Sequence, residues 1–181
     1  MKKERFSQPE KWILLGIPAL FIIGSLMHFL YDLTGQMTFV GMFAPVNESV
    51  WEHLKMLVIP TIAWWGVYYF AKGEEFDINK DTWFFGCLVS LLASLFTMVA
   101  FYYTYTGALG IESLFLDIFD MLLSVAVGQL LGLHVYKYSK GIKAGISLLV
   151  LAAIVILFAV FTFYPPHIPL FMDSSTGLYG I

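Results

Sequence analysis

Long apolar segments dominate this chain and alternate with short polar connections. Five of the segments are long enough to cross a bilayer, because its hydrocarbon core requires about 20 helical residues. They cover about residues 12–33, 50–71, 84–106, 113–136 and 143–163. The connections between them are too short to hold a soluble domain, and the chain has no evident internal repeat. The pattern predicts an all-α fold, with residues 1–181 forming a single transmembrane domain, a bundle of five transmembrane helices.

The composition agrees with a multi-pass membrane protein. Hydrophobic residues make up 59% of the 181 residues and charged residues only 13%, against about 25% charged residues in soluble domains. The net charge of -3 is too small to indicate a nucleic-acid partner, so the expected partner is membrane lipid. A single cysteine, Cys87, excludes an internal disulfide and a cysteine-rich metal site.

The basic residues predict the orientation. All but Lys55 precede the first span or lie in the connections after the second and fourth spans: Lys2, Lys3, Arg5, Lys11, Lys72, Lys80, Lys137, Lys140 and Lys143. Cytoplasmic segments carry an excess of Lys and Arg, which favours a cytoplasmic N-terminus and an external C-terminus. The first apolar run contains no signal-peptide cleavage pattern and is expected to stay as an anchor.

Polar side chains concentrate where the second span begins. Residues 45–55 read Pro-Val-Asn-Glu-Ser-Val-Trp-Glu-His-Leu-Lys and contain two carboxylates, an imidazole, an amide and an ammonium. The expected orientation brings this motif to the outer face, together with the 104–113 connection and the tail, residues 164–181. Pro165 and Pro166 must end the fifth span, and the apolar residues after them predict a tail that folds over the outer mouth.

The motif would be joined on that face by polar residues from other spans. His28 and Asp32 lie one turn apart near the end of the first span, and Asp117 and Asp120 lie near the start of the fourth. Charges at the depth of His28 and Asp120 cost several kcal/mol unless they are paired, protonated or hydrated.

Imidazole and carboxylate ligands suit zinc or another divalent metal. The interpretation that follows assigns metal ligation to His28, His53, Asp120 and His167. It assigns catalysis to Glu52 as the general base, with Asp117 completing or orienting the site. The reaction expected is a metal-dependent intramembrane hydrolysis of a lipid or lipid-linked substrate, because lipids reach an outer-leaflet site most easily.

Two other functions stay open. Ser49 and Glu52 fit a helix capping box, and Glu48 and Asp117 fit the positive ends of helices. The cluster would then be part of a structural or interaction protein. Buried Asp120 and His28 would also suit a proton- or cation-coupled transporter, although the inner half of the bundle offers only Gln129 and His134 as polar steps.

The motif at 47–55, with Tyr164-Pro165-Pro166 and the closing residues 177–181, resembles an uncharacterised family of small bacterial integral membrane proteins. The resemblance covers essentially the whole chain and implies a multi-pass protein of the bacterial inner membrane, without a known activity. The site composition is loosely similar to that of the seven-helix intramembrane hydrolases that include alkaline ceramidases and adiponectin-receptor-like proteins. Those proteins hold zinc between helices with His and Asp, but this chain has five spans and lacks their paired C-terminal histidines.

Overall fold

The computed structural model describes residues 6–181, which form an all-helical protein. Its seven α-helices are α1 (Gln8–Met27), α2 (Leu30–Leu33), α3 (Thr38–Gly41), α4 (Val50–Lys72), α5 (Lys80–Tyr103), α6 (Leu114–Tyr138) and α7 (Ala144–Phe163). A π-helical turn, Thr104–Ala108, extends α5, and a 3₁₀ turn, Pro169–Phe171, lies in the tail. No strand occurs within the described residues, where one isolated bridge joins Met172 to Tyr179.

Five of these helices are long and apolar enough to cross a membrane: α1, α4, α5 with its π-helical turn, α6 and α7. The predicted all-α bundle of five spans is therefore confirmed. The two remaining helices, α2 and α3, have four residues each and lie in the connection between α1 and α4.

The first helix begins and ends earlier than the segment predicted at 12–33. Ser7 caps its start in a full capping box, because the Ser7 hydroxyl accepts from the Glu10 backbone N–H and the Glu10 carboxylate accepts from the Ser7 N–H. The helix stops at Met27, and α2 forms a separate turn after His28. Asp32 therefore does not continue the helical face of His28, and it accepts a hydrogen bond from Gln36 instead.

Small residues allow α5 and α6 to pack closely. Gly128 faces Ser90 and Ser94, and Gly132 faces Gly86 and Ser90. A methyl group at Gly128 would lie 1.9 Å from the Ser94 hydroxyl oxygen. Helices in membranes commonly associate through such close backbone contacts, and this pair forms the most extensive helix contact of the bundle. α1 packs against α4 and α6, α4 packs against α5, and α7 packs against α5 and α4.

The two ends of the bundle differ in chemistry. One end, here called the lysine end, contains the start of α5 and the start of α7, which are joined because the Ala144 backbone N–H donates to Asp81 at 2.8 Å. The opposite end, the motif end, contains residues 45–55, the end of α1 and the tail. Trp51 stacks there on Phe158 of α7 and on Phe171 of the tail, with ring centroids 4.1 and 4.6 Å apart.

Candidate functional site

Two histidines and a carboxylate come together at the motif end. One nitrogen or oxygen of each of His28, Glu48 and His53 lies within 4.8 Å of the corresponding atoms of the other two. The Nε2 atom of His53 lies 3.4 Å from one Glu48 oxygen, and Nε2 of His28 lies 3.7 Å from the other. Both separations exceed the 2.7–3.2 Å typical of N–H···O hydrogen bonds, so the three groups face a common point without bonding directly to one another.

The first turn of α4 sets the orientation of His53. Ser49 caps this helix by accepting from the Glu52 backbone N–H at 3.2 Å. The Ser49 carbonyl oxygen lies 2.8 Å from Nδ1 of His53 and accepts its proton. This contact makes Nδ1 a donor and directs Nε2 at Glu48. Metal-binding histidines commonly use their second nitrogen in this way.

His28 follows the last residue of α1 and lies beside His53. The two imidazole rings stack with centroids 5.2 Å apart and an angle of 23° between their planes. Nδ1 of His28 is buried and has no hydrogen-bond partner within the described part of the chain. Its Nε2 is the atom that faces Glu48.

Glu48 lies in the turn before α4, and residues distant in sequence hold this turn. The Asn47 side chain donates to the carbonyl of Gly180 at 3.1 Å and accepts from the backbone N–H of Ser49 at 3.0 Å. The hydroxyl of Ser174 donates to the Glu48 carbonyl at 3.2 Å. The tail thus folds back onto the motif and fixes the residue that faces both histidines.

The charge state of Glu48 follows from its neighbours. The contact with His53 is the largest influence and lowers the pKa of Glu48 below its ordinary value. Partial burial acts in the opposite direction, as does the charge of Asp173, while His28 lowers the pKa further. Glu48 is therefore a carboxylate at neutral pH, and half of its side chain is exposed.

A half-open cleft of about 260 Å³ borders Glu48. It lies between the start of α4, the end of α5 with its π-helical turn, and the tail. Its other lining residues are Val50, Tyr102, Tyr103, Thr106, Gly107, Pro169, Met172 and Ser174. Single π-helical turns often occur at functional sites, and Thr106 and Gly107 of this one line the cleft.

Glu52 and Lys55 form a separate, buried ion pair. The Lys55 ammonium contacts one Glu52 oxygen at 2.5 Å and donates to the carbonyls of Gly41 and Ala44 at 2.7 and 3.4 Å, and to the hydroxyl of Thr162 at 2.5 Å. The same Glu52 oxygen accepts from the Val46 backbone N–H at 3.1 Å. Both polar heads are thus satisfied, as buried charges must be.

The predicted capping box at this helix is therefore only half formed. Ser49 does cap α4, but its own backbone N–H donates to Asn47. The Glu52 side chain, predicted as a general base, lies in the ion pair with Lys55 and is nearly inaccessible.

The other predicted site residues have different partners. Asp117 accepts a hydrogen bond from the Tyr105 hydroxyl, and its charge acts on His53. Asp120 is buried deeper in α6 and accepts from the Ser124 hydroxyl at 3.0 Å. His167 stacks on Tyr179 within the tail, with ring centroids 4.5 Å apart. None of these residues joins the group of His28, Glu48 and His53.

The sequence does not predict that Glu48 lies beside the two histidines or that Lys55 is buried. A charge at Glu48 favours the helix N-terminus, yet its position immediately before the cap residue points it outside the helix. Lys55 is the only basic residue in the interior of a predicted span. A buried charge requires a partner, and that requirement was the available signal for its pairing with Glu52.

Comparison with known proteins identifies a family whose function is unknown. The model of a family of unknown function (DUF6512) matches residues 1–181. No curated protein and no solved structure matches this chain.

Proposed function

The chain belongs to this family of unknown function, DUF6512, and we propose that it is a multi-pass protein of the bacterial inner membrane with a divalent-metal centre for lipid hydrolysis. In this proposal His28, Glu48 and His53 hold the metal, which we take to be zinc, at the outer face. The substrate is a lipid or lipid-linked molecule. The orientation follows from the lysines at the opposite end of the bundle.

The spacing of the three side chains is the observation that carries the proposal. Two ligand atoms at about 2.1 Å from a tetrahedral zinc lie about 3.4 Å apart. Here Nε2 of His53 lies 3.4 Å from one Glu48 oxygen and Nε2 of His28 lies 3.7 Å from the other, and one ligand atom of each residue lies within 4.8 Å of the other two. Two histidines and one carboxylate are also the ligand set of one class of catalytic zinc sites.

Three protein ligands leave room for chemistry. A zinc ion in such a site supplies a Lewis acid and activates water for attack on a carbonyl or phosphoryl group. His53 keeps its Nε2 available because its Nδ1 donates to Ser49. The cleft beside Glu48 admits the reacting group from the external face of the inner membrane.

Asp117 is the carboxylate that we assign to proton transfer. It lies in the first turn of α6, at the motif end, and the Tyr105 hydroxyl fixes its orientation. Glu52, the base expected from the sequence, is excluded from this role because Lys55, Val46 and Thr162 occupy its oxygens.

Zinc analysis of the purified protein tests the metal centre. We expect near-stoichiometric zinc in the wild type and a loss of zinc affinity greater than about 100-fold in His28→Ala, Glu48→Gln and His53→Ala. That loss exceeds the 10–100-fold typical of outer-shell changes. Two matched controls are His134→Ala, at the lysine end, and His167→Ala, in the tail. Asp120→Asn separates this ligand set from the one expected from the sequence, because it should keep its zinc.

A folded wild-type protein without zinc, even after exposure to excess metal, would refute the metal centre. Hydrolysis has its own test, in which zinc-loaded protein is reconstituted with a bacterial lipid extract and products are followed by mass spectrometry. Products should form with the wild type and not with Asp117→Asn, which retains zinc. Zinc binding without any lipid product would refute hydrolysis and leave the metal centre standing.

A structural role is the alternative that a specific observation favours. The Glu52–Lys55 pair joins α4 to the segment before it and to Thr162 of α7. A satisfied buried network of this kind specifies packing. If the whole motif served only packing, Glu48→Gln would change neither zinc content nor lipid composition.

A further inference from the structure

A second opening in the bundle lies between α4, α5 and α7, toward the lysine end. This crevice has a volume of about 260 Å³ and is lined only by apolar residues and Cys87. Gly66 lies on its α4 wall and Leu148 and Ala152 on its α7 wall. It is separate from the proposed metal centre, with which it shares no lining residue.

The crevice exists because α4 has no side chain at this point. A Cβ atom at Gly66 would meet no atom within 4 Å. In the bundle proposed above, the surroundings at this depth are hydrocarbon rather than water. An apolar void that opens to hydrocarbon favours occupation by an acyl chain, because the wall atoms otherwise lack dispersion contacts on one side.

Basic side chains lie at the end of the bundle toward which the crevice is directed. Phe84 lines the crevice one helical turn from Lys80, and Leu148 lines it five residues from Lys143, which places these lysines about 6–8 Å along the helix axes from the crevice walls. The hydrogen bond from Ala144 to Asp81 holds the starts of α5 and α7, and thus the two lysine backbones, side by side.

The positive charge at this end of the crevice lies mainly on its α7 side. The connection before α5 contains Glu74, Glu75 and Asp77, of which Glu75 pairs with Lys72, and Asp81 stays negatively charged while it accepts the Ala144 N–H. The connection between α6 and α7 contributes Lys140 and Lys143, and no acidic residue lies between positions 121 and 172. Each lysine near an anionic lipid surface contributes about 1 kcal/mol, or about fivefold in affinity.

We propose that this crevice is a binding site for one anionic phospholipid, with an acyl chain between α4, α5 and α7 and the headgroup phosphate beside Lys80 and Lys143. The inference rests on the membrane placement proposed above and not on the metal centre. It goes beyond the proposed hydrolysis, because a lipid at the lysine end lies across the bundle from His28, Glu48 and His53.

Native mass spectrometry of the detergent-purified protein tests the site, with phosphatidylglycerol and phosphatidylcholine of identical acyl chains as probes. We expect the wild type to bind one phosphatidylglycerol at least about fivefold more tightly than phosphatidylcholine. Gly66→Phe fills the crevice and should weaken both lipids by about tenfold or more, since each buried CH₂ group contributes about 0.8 kcal/mol. Lys143→Ala should reduce only the preference for phosphatidylglycerol.

Val67→Phe is the matched control. Val67 neighbours Gly66 on α4 but does not line the crevice, and its side chain is largely exposed, so this variant should bind both lipids as the wild type does. If Gly66→Phe does not assemble, Ala152→Phe fills the crevice from the opposite wall. Equal lipid affinity in Val67→Phe and in a folded crevice-filling variant would overturn the proposal, as would equal wild-type affinity for the two lipids. Neither result would affect zinc content, which tests the other site.

Discussion

Nε2 of His53 and Oε2 of Glu48 lie 3.4 Å apart, a distance too long for a strong hydrogen bond and suited to two ligands of one metal ion. A carboxylate that precedes a helix and an imidazole in its first turn thus converge across the four residues that lie between them. This relationship leads to the first prediction, which concerns pH.

Zinc affinity should be constant above about pH 8 and fall as the solution is acidified through the range in which imidazoles titrate, about pH 8 to 5. Histidines bind metal only when neutral. Glu48 contributes no loss in this range, because its lowered pKa keeps it ionised, and its contribution is lost only as the pH falls through that lowered value. Equilibrium dialysis against buffered zinc measures the profile.

The number of protons released per zinc identifies the groups involved. The wild-type slope should approach two protons at low pH, and His53→Ala should reduce both affinity and slope. A profile whose midpoint lies near pH 4 would assign the acid loss to Glu48 and contradict the role of the histidines.

The second prediction concerns the buried pair. Lys55→Met should lower the free energy of unfolding by about 3–5 kcal/mol, because it leaves the Glu52 carboxylate buried without its counter-charge. The double variant Glu52→Gln/Lys55→Met should regain most of that loss, since neither charge then has to be buried. Reversible unfolding in mixed detergent micelles gives the measurement.

The exposed pair at the other end of α4 supplies the control for this experiment. Lys72 contacts Glu75 at the same 2.5 Å distance, but roughly half of each side chain is exposed. Solvent-exposed pairs contribute little, so Lys72→Met should leave unfolding nearly unchanged. Equal losses of unfolding free energy in Lys55→Met and Lys72→Met would show that burial does not determine the contribution of the Glu52–Lys55 pair.

The third prediction concerns the contact between α5 and α6. Gly128→Ala should destabilise the protein by about 1–3 kcal/mol, the usual cost of overpacking, because the added methyl group would overlap Ser94. Gly66→Ala is the matched substitution in α4, where the space is open, and should be neutral or stabilising by up to about 1 kcal/mol. Thermal unfolding of the two variants, compared with the wild type, measures both changes in stability.

The fourth prediction concerns the attachment of the tail. Asn47→Ala removes the hydrogen bond to Gly180 and the bond that Asn47 accepts from Ser49, a combined loss of about 1–3 kcal/mol. We expect faster protease cleavage within residues 172–181 and weaker zinc binding, because Glu48 loses the support of its turn.

Asn79→Ala is the control for the tail experiment. Asn79 also accepts hydrogen bonds from backbone N–H groups, but it caps α5 at the lysine end. Its replacement should weaken that helix start without changing cleavage of the tail. A tail that resists protease equally in Asn47→Ala and the wild type would contradict the attachment.

The fold was more predictable than the site. The five spans follow from the length of the apolar segments alone. Identifying them requires no knowledge of the contacts between side chains. The first span was misplaced by several residues because the Ser7 capping box extends α1 before Trp12, while the chain turns at His28 inside an apolar stretch.

The site depended on contacts that no local pattern contains. Helical spacing correctly relates residues that are all inside α4, but Glu48 precedes the helix, so its direction is set by Asn47 and through it by Gly180. The sequence also suggested one site for Glu52 and His53, whereas Glu52 turns to Lys55 and Thr162. His28 and His53 could be chosen from the sequence because intramembrane histidines are rare; their carboxylate partner could not.

The bond between Asn47 and Gly180 also bears on the order of biogenesis. A ribosome makes His28, Glu48 and His53 early and Gly180 only after all five apolar helices have been translated. Until Gly180 has been made, the turn that holds Glu48 lacks this hydrogen bond. The arrangement of His28, Glu48 and His53 is therefore complete only after the last helix and the tail have joined the bundle.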